Sequence, residues 1–209
     1  MKVLSVITIC RNAKKLFKLT SESLKHQKAT DFQWIIIDGN SNDGTQDIIR
    51  KYERNYDKFI SEPDDGIYDA MNKGLTHANG KYVLFLNAGD TLFNSKTLCT
   101  VDFSKNVDLI TGDLYFRQKN VLKKSPEKLQ KDFLLKNMLP HQATFFSRDI
   151  FDKYGGFDTS YHIAGDYEMF SRLIQKCKVS YAHAPDFIAN FDETGISSND
   201  NLRHLRKKE

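Results

Sequence analysis

The chain has 209 residues, 40% of them hydrophobic and 28% charged, with a net charge of only +4. That length can bury a full core as one domain, and the near-balanced charge makes no demand for a nucleic-acid partner. Three cysteines (Cys10, Cys99, Cys177) lack metal-ligand spacing, and an odd count suits a reduced, cytoplasmic protein. The start, Met1-Lys2 and then VLSVITIC, is too short and too β-branched for a signal peptide, and no apolar run approaches the roughly 20 residues that span a bilayer.

In chain order, VLSVITIC reads as a buried strand. Residues 12–27 then place Ala13, Leu16, Phe17 and Leu24 on roughly one helical face, with Lys14, Lys15, Lys18 and Lys25 elsewhere. WIII is a second buried strand. Asp43 with Gln46 three residues on predicts a capping box opening a helix over 45–55. KFIS is a short third strand, residues 66–78 a helix ended by Asn79-Gly80, and YVLFLN a fourth strand. The alternation βαβαβαβ predicts an α/β fold, a mostly parallel central sheet with helices on both faces. After about residue 107 the rhythm changes. VDLITGDLYF and Val121-Leu122 are expected to pair antiparallel, 127–137 to form an amphipathic helix and TFFS a strand. Residues 148–156 and 165–177 read as helices, KVSYA as the last strand, and the chain beyond about Ser197 as a polar tail. Without a Pro/Gly-rich linker, 1–198 reads as one domain, with 1–106 holding one ligand and 107–198 giving the other wall of a cleft. Residues 199–209 form a basic tail.

Five of the apolar segments end in short polar turns: Arg11-Asn12, Asp38-Gly39, Asp64-Asp65-Gly66, Asp90 and Asp113. The carboxyl ends of parallel strands share one rim, where open α/β sheets bind ligands. Acidic groups gathered there repel one another unless a cation, ribose hydroxyls or base N–H groups share the site; the plainer alternative is that loops favour Asp. The third turn is the most specific. Within 61–74, Ile67, Met71 and Leu75 share a face that packs on the sheet, while Asp65, Asp69 and Asn72 share another, turned to the rim. An acidic N-cap explains Asp65, but neither Asn72 nor Gly74, a glycine inside a helix at a cost of about 1 kcal/mol.

SEPDDGIYDAMNKGL, preceded by IIIDGNSNDGT and followed by GKYVLFLNAGD, closely resembles the inverting family-2 glycosyltransferases of the GT-A fold. The nearest branch is the small enzymes of bacterial O-antigen, capsule and exopolysaccharide synthesis. The likeness continues through HQATFFSRDIFDKYGGFD and IAGDYEMFSRL, covering roughly residues 3–198.

The resemblance implies hexosyl transfer from a nucleotide-diphosphate sugar, most simply UDP-linked, to a polyprenyl-diphosphate-linked or saccharide acceptor. It implies nucleotide and donor contacts from Thr8, Arg11, Asn12, Asp38, Gly39, Asp65, Asp69, Asn72 and Asn87. Family members carry an acidic D-x-D after the fourth strand; here LNAGD keeps a single carboxylate, Asp90, as ligand for Mn²⁺ or Mg²⁺. One carboxylate suffices when phosphates complete the shell. Asp166 falls at the position of the general base, although as residues it could equally N-cap the following helix. His141 and Gln142 fall on the acceptor side. The family's lipid-linked acceptors and the basic tail imply peripheral contact with the cytoplasmic face of a membrane. A protein of the same fold that binds nucleotide sugars without catalysis is the alternative. An aspartyl phosphatase fits poorly, because Ser41 stands where its first Asp belongs. Dinucleotide and P-loop motifs are absent from the sequence.

Overall fold

A computed structural model describes residues 2–130, 132–135 and 137–194. The basic tail expected at 199–209 lies outside the described residues. Strands and helices alternate through the first half: β1 (Leu4–Cys10), α1 (Lys14–Lys25), β2 (Phe32–Asp38), α2 (Thr45–Arg50), β3 (Lys58–Ser61), α3 (Ile67–Leu75) and β4 (Tyr82–Phe85). There follow β5 (Thr91–Leu92), α4 (Thr97–Thr100), β6 (Leu109–Phe116), β7 (Val121–Lys123), β8 (Thr144–Ser147), α5 (Asp149–Tyr154), α6 (Gly165–Ser171) and β9 (Tyr181–Phe191). One sheet runs β3-β2-β1-β4-β8-β6-β9-β5, with β7 paired to β6. β3, β2, β1 and β4 are parallel; β8 enters antiparallel to β4 and β6, and β9 runs parallel to β6.

The apolar strands divide their side chains between two faces. Val6, Trp34 and Ile36 join Phe17 and Leu24 of α1 in one core, while Ile7, Ile35 and Ile37 join Tyr68 and Met71 of α3 in the other. Both faces are covered, so these strands carry apolar side chains on both faces instead of on alternate positions. Gly74 belongs to this packing. A β-carbon there would lie 2.4 Å from Ile7 Cγ2, so the helix sits on β1 and β2 only because that position has no side chain.

Several expected elements differ. Asp43 does not form a capping box: its Oδ1 accepts from the Thr45 N–H at 2.9 Å, Gly44 caps α2 at φ +89°, and Gln46 donates to the Ser41 carbonyl. The expected helix over 127–137 is, among the described residues, only a 3-10 turn at Phe133–Leu135. Side chains from elsewhere take carbonyls in and beside this segment: Tyr167 binds Leu134 O within it, while Tyr181 binds Pro126 O and Lys123 binds Met138 O at its two flanks. The strap is thus tied down at both ends and once within. β9 runs well past the expected KVSYA, and it tolerates Pro185 because the register breaks opposite Gly112, where no ladder N–H is required.

Candidate functional site

The carboxyl ends of β1 and β4, the turn before α3, the segment before β8, the start of α6 and the end of β9 enclose one cleft of about 600 Å³. Arg11, Asp64, Asn87, Asp90, His141, Gln142, Asp166 and Asp192 all line it.

Asp90 stands at its floor on a turn that α1 anchors. Buried Thr20 donates through Oγ1 to the Asp90 carbonyl at 2.7 Å and accepts from the Gly89 N–H at 2.9 Å. Gly89 adopts φ +108°, and a β-carbon there would meet Asp192 Oδ2 at 2.7 Å, so the turn needs glycine twice over. The Asp90 carboxylate is 3% exposed and accepts the Asp192 N–H at 2.8 Å. Burial pushes its pKa up to about 7, with the Asp192 charge acting in the same direction; the Asp192 N–H and His141 oppose it. Among the described residues no group of three or more His, Cys, Asp or Glu side chains is assembled as a metal centre. The donors at this end are oxygens, from Asp90, Asp192 and Asn87, and Asn87 Oδ1 is buried without a hydrogen-bond partner. That set fits a hard divalent cation whose remaining ligands come from phosphates.

Asp166 lies on the opposite wall, in the first turn of α6. Its Oδ2 faces His141 Nδ1 at 3.0 Å, and its Oδ1 accepts the Tyr167 N–H at 2.9 Å with the Tyr68 hydroxyl at 3.4 Å. Burial, then Asp166, drives the Tyr68 phenol well above its ordinary pKa, so it acts as a donor. A Nδ1–H on His141 directed at Asp166 leaves Nε2 as an acceptor; that atom is buried and has no partner among the described residues. Gly165 lies against the Tyr68 ring, where a β-carbon would approach to 2.7 Å.

The family model for glycosyl transferase family 2 matches residues 5–155. The chain belongs to this family. A PGL/p-HBAD biosynthesis glycosyltransferase of Mycobacterium bovis is 29% identical over 202 residues, covering 93% of this chain and 78% of that protein. S. aureus TarS 1–349, solved in complex with UDP-GlcNAc, superposes with a TM-score of 0.76 at 18% identity, over 100% of this chain and 65% of that one. A mannosyltransferase from Pyrobaculum calidifontis, solved with GDP-Man and Mn²⁺, gives 0.73 at 17% identity, over 98% of this chain and 61% of that one. This family-2 glycosyltransferase thus has the GT-A type fold, and it spans under two thirds of each of those two solved chains.

The expected site residues of the glycosyltransferase separate into two groups. Arg11, Asn87, Asp90, His141, Gln142 and Asp166 are brought together in the cleft. The others do not line the cleft, and each has partners within the protein as follows. Thr8 is fully buried and accepts from the Trp34 indole N–H at 3.0 Å. Asp38 is also fully buried, taking the Ser41 N–H at 3.0 Å, the Ser61 hydroxyl at 2.7 Å and the Ser41 hydroxyl. Asn12, at φ 49°, ties its loop to the next through Ser41 and Asn42. At Gly39 a β-carbon would strike the Asp64 carboxylate, so the turn packs closely against that side chain. Asp69 pairs with Lys73 at 3.0 Å and accepts the Asp65 N–H, while Asp65 itself is exposed. Asn72 clasps both the N–H and the carbonyl of Phe157, at 2.9 and 2.8 Å. Asp64, named in the sequence only as part of its rim turn, and Asp192, not singled out there, also line the cleft. Asp64 is adjacent to the expected Asp65, and its side chain is only 8% exposed as it pairs with Arg11 at 3.9 Å. Nothing in the local pattern FDET singles out Asp192; only the return of β9 beside the β4 turn does so.

Proposed function

We propose that this enzyme transfers a sugar with inversion from a nucleotide-diphosphate donor, UDP-linked, to a polyprenyl-diphosphate-linked or saccharide acceptor in bacterial surface-polysaccharide synthesis. The single observation that carries the reading is the polarity of the cleft: a hydrogen-bonded His141–Asp166 pair on one wall, and the buried Asp90 with orphaned Asn87 Oδ1 at the other end. The UDP-GlcNAc bound by TarS and the GDP-Man and Mn²⁺ of the archaeal mannosyltransferase support the donor class and a divalent cation. Residues 1–106 are assigned to the nucleotide sugar and 107–198 to the acceptor.

The nucleotide lies along the β1 end, where Arg11 and Asp64 offer a cation and a carboxylate to diphosphate and to ribose or base N–H groups. Asp90, with Asn87 and Asp192, would hold Mn²⁺ or Mg²⁺, which when bound neutralises charge on the departing diphosphate. Asp166 accepts the proton of the acceptor hydroxyl as its oxygen bonds to the anomeric carbon. The bond from that carbon to the diphosphate oxygen breaks, and its electron pair leaves on the nucleoside diphosphate. One displacement inverts the centre, and a single base suffices because the leaving group needs no proton. His141 and the Tyr167 N–H hold the carboxylate in place, and Gln142 stands beside them on the acceptor side.

Asp166→Asn is expected to reduce transfer by about 10²–10⁴-fold while nucleotide-sugar affinity stays near wild type. A comparable loss of affinity in that variant would contradict the assignment of Asp166 as base.

A further inference from the structure

An aspartate carboxylate turns easily about its last side-chain bond, because a torsion between a tetrahedral and a planar carbon has only broad, two-fold preferences. To meet a cation with one chosen oxygen, it needs other groups to set its plane. At Asp192, buried beside the cleft, the two oxygens have different surroundings. Oδ1 accepts three hydrogen bonds: from Gln118 Nε2 at 2.7 Å, the Thr194 N–H at 3.0 Å and the Thr194 hydroxyl at 2.8 Å. Among the described residues no hydrogen bond is made to Oδ2. That oxygen faces the turn after β4, where a β-carbon on Gly89 would lie 2.7 Å from it and where Asp90 Oδ1 accepts the Asp192 N–H at 2.8 Å.

The two Thr194 bonds are local, the kind an aspartate makes to the residue two places on in a tight turn. The Gln118 bond is not. It comes from the turn between β6 and β7, 74 residues earlier in the chain. Gln118 is exposed, yet its amide is fixed at both ends, since Oε1 accepts the Glu193 N–H at 3.0 Å. Those two bonds leave one orientation for the amide, with its NH₂ on the Asp192 carboxylate and its oxygen on the backbone. Next to it, Lys119 ties the same two segments together through Glu193, by its N–H to Oε2 at 2.9 Å and by its ammonium to Oε1, without a bond to Asp192.

We propose that Gln118 is the positioning residue of the cation end: it turns the Asp192 carboxylate so that Oδ2 is presented beside Asp90. The inference rests on the reading of Asp90, Asn87 and Asp192 as the residues that hold the divalent cation. Without the Gln118 amide, Oδ1 keeps only its local turn bonds, and the carboxylate gains freedom to rotate away from the Asp90 turn. Partners that orient a metal ligand commonly change metal affinity by about 10–100-fold. Cation and diphosphate share the site, so the loss is read as a fall in the factor by which Mn²⁺ strengthens UDP binding. The β6–β7 turn thereby acts on the donor end without touching the nucleotide.

The test is calorimetric titration of UDP into the full chain, with and without Mn²⁺, for wild type, Asp192→Asn, Gln118→Leu and Lys119→Met. Gln118→Ala serves as a second removal of the amide, and thermal melts show which variants are folded. Mn²⁺ is expected to strengthen UDP binding in wild type and to do so far less in Asp192→Asn. In Gln118→Leu the enhancement should fall by roughly tenfold or more, while UDP affinity without metal stays at the wild-type value. Lys119→Met, which loosens the same two segments and leaves the Asp192 carboxylate alone, should keep the full enhancement. A wild-type enhancement in both Gln118 variants, with Asp192→Asn impaired, would overturn the proposal and leave the cation reading standing. An equal loss in Lys119→Met would also overturn it, because the turn would then act by general bracing. No enhancement in wild type, or none lost in Asp192→Asn, would instead remove the cation reading itself, and the role of Gln118 with it.

Discussion

At the residue scale, the cleft acids differ because their surroundings differ. Asp90 is sealed under the β4 turn, while Asp38, equally buried, is saturated by serine donors. The raised pKa of Asp90 means the folded protein binds a proton more tightly there than the unfolded chain does. Its contribution to stability is therefore intact below the ordinary carboxylate value and is lost as pH rises from about 3.8 to about 7. Asp90→Asn should flatten that decline, by at most about 4 kcal/mol, in metal-free melts across this window. An unchanged slope would mean the carboxylate is not desolvated as described. In the proposed mechanism His141 acts through Asp166, which it contacts at 3.0 Å. His141→Ala should lower kcat about 10²-fold without weakening donor binding. His141→Gln, which restores an N–H toward the carboxylate, should recover part of the loss; equal loss in both would point to a different role. Asp90, Asp166 and His141 were legible as candidates because each stands in a quotable motif. Asp64 and Asp65 both lie in the turn before α3, where helical spacing does not say which carboxylate enters the cleft; Asp64 lines it.

At the element scale, α3 shows what periodicity can and cannot give. Its apolar stripe, with Met71 on the sheet, follows from spacing alone. The polar face is engaged within the protein. Asp69 is held by Lys73, and Asn72 spans to Phe157, a contact 85 residues distant in sequence and invisible to any local rule. Asn72→Ala should cost about 2 kcal/mol by leaving the Phe157 N–H and carbonyl unpaired, with little change in nucleotide affinity. Gly74→Ala tests the packing directly. In an exposed helix the substitution would stabilise; here the methyl meets Ile7, and a loss of about 1–3 kcal/mol is expected in thermal or urea unfolding. A gain would show that the helix can shift away from β1. The segment over 127–137 is likewise held by distant side chains, Tyr167 on Leu134 O and Tyr181 and Lys123 on the flanking carbonyls of Pro126 and Met138.

At the scale of the whole molecule, the parallel half of the sheet was readable because buried strands are written as continuous apolar runs. The second half was harder, because β8 and β9 cross the sheet between elements distant in sequence, and Pro185 hides the continuation of β9. Those crossings deliver Asp192 and His141 to the turn that carries Asp90. On the proposed reading, Asp192 supplies a second carboxylate beside the single Asp of the LNAGD turn.

The most direct test of the central claim is a calorimetric titration of nucleoside diphosphates and their sugars, with and without Mn²⁺, against wild type and Asp90→Ala. Micromolar binding of UDP or a UDP-sugar, strengthened by Mn²⁺ in wild type and not in Asp90→Ala, is predicted. Folded protein that binds no nucleotide would contradict the transferase reading, and undiminished Mn²⁺ enhancement in Asp90→Ala would contradict the assignment of the metal end.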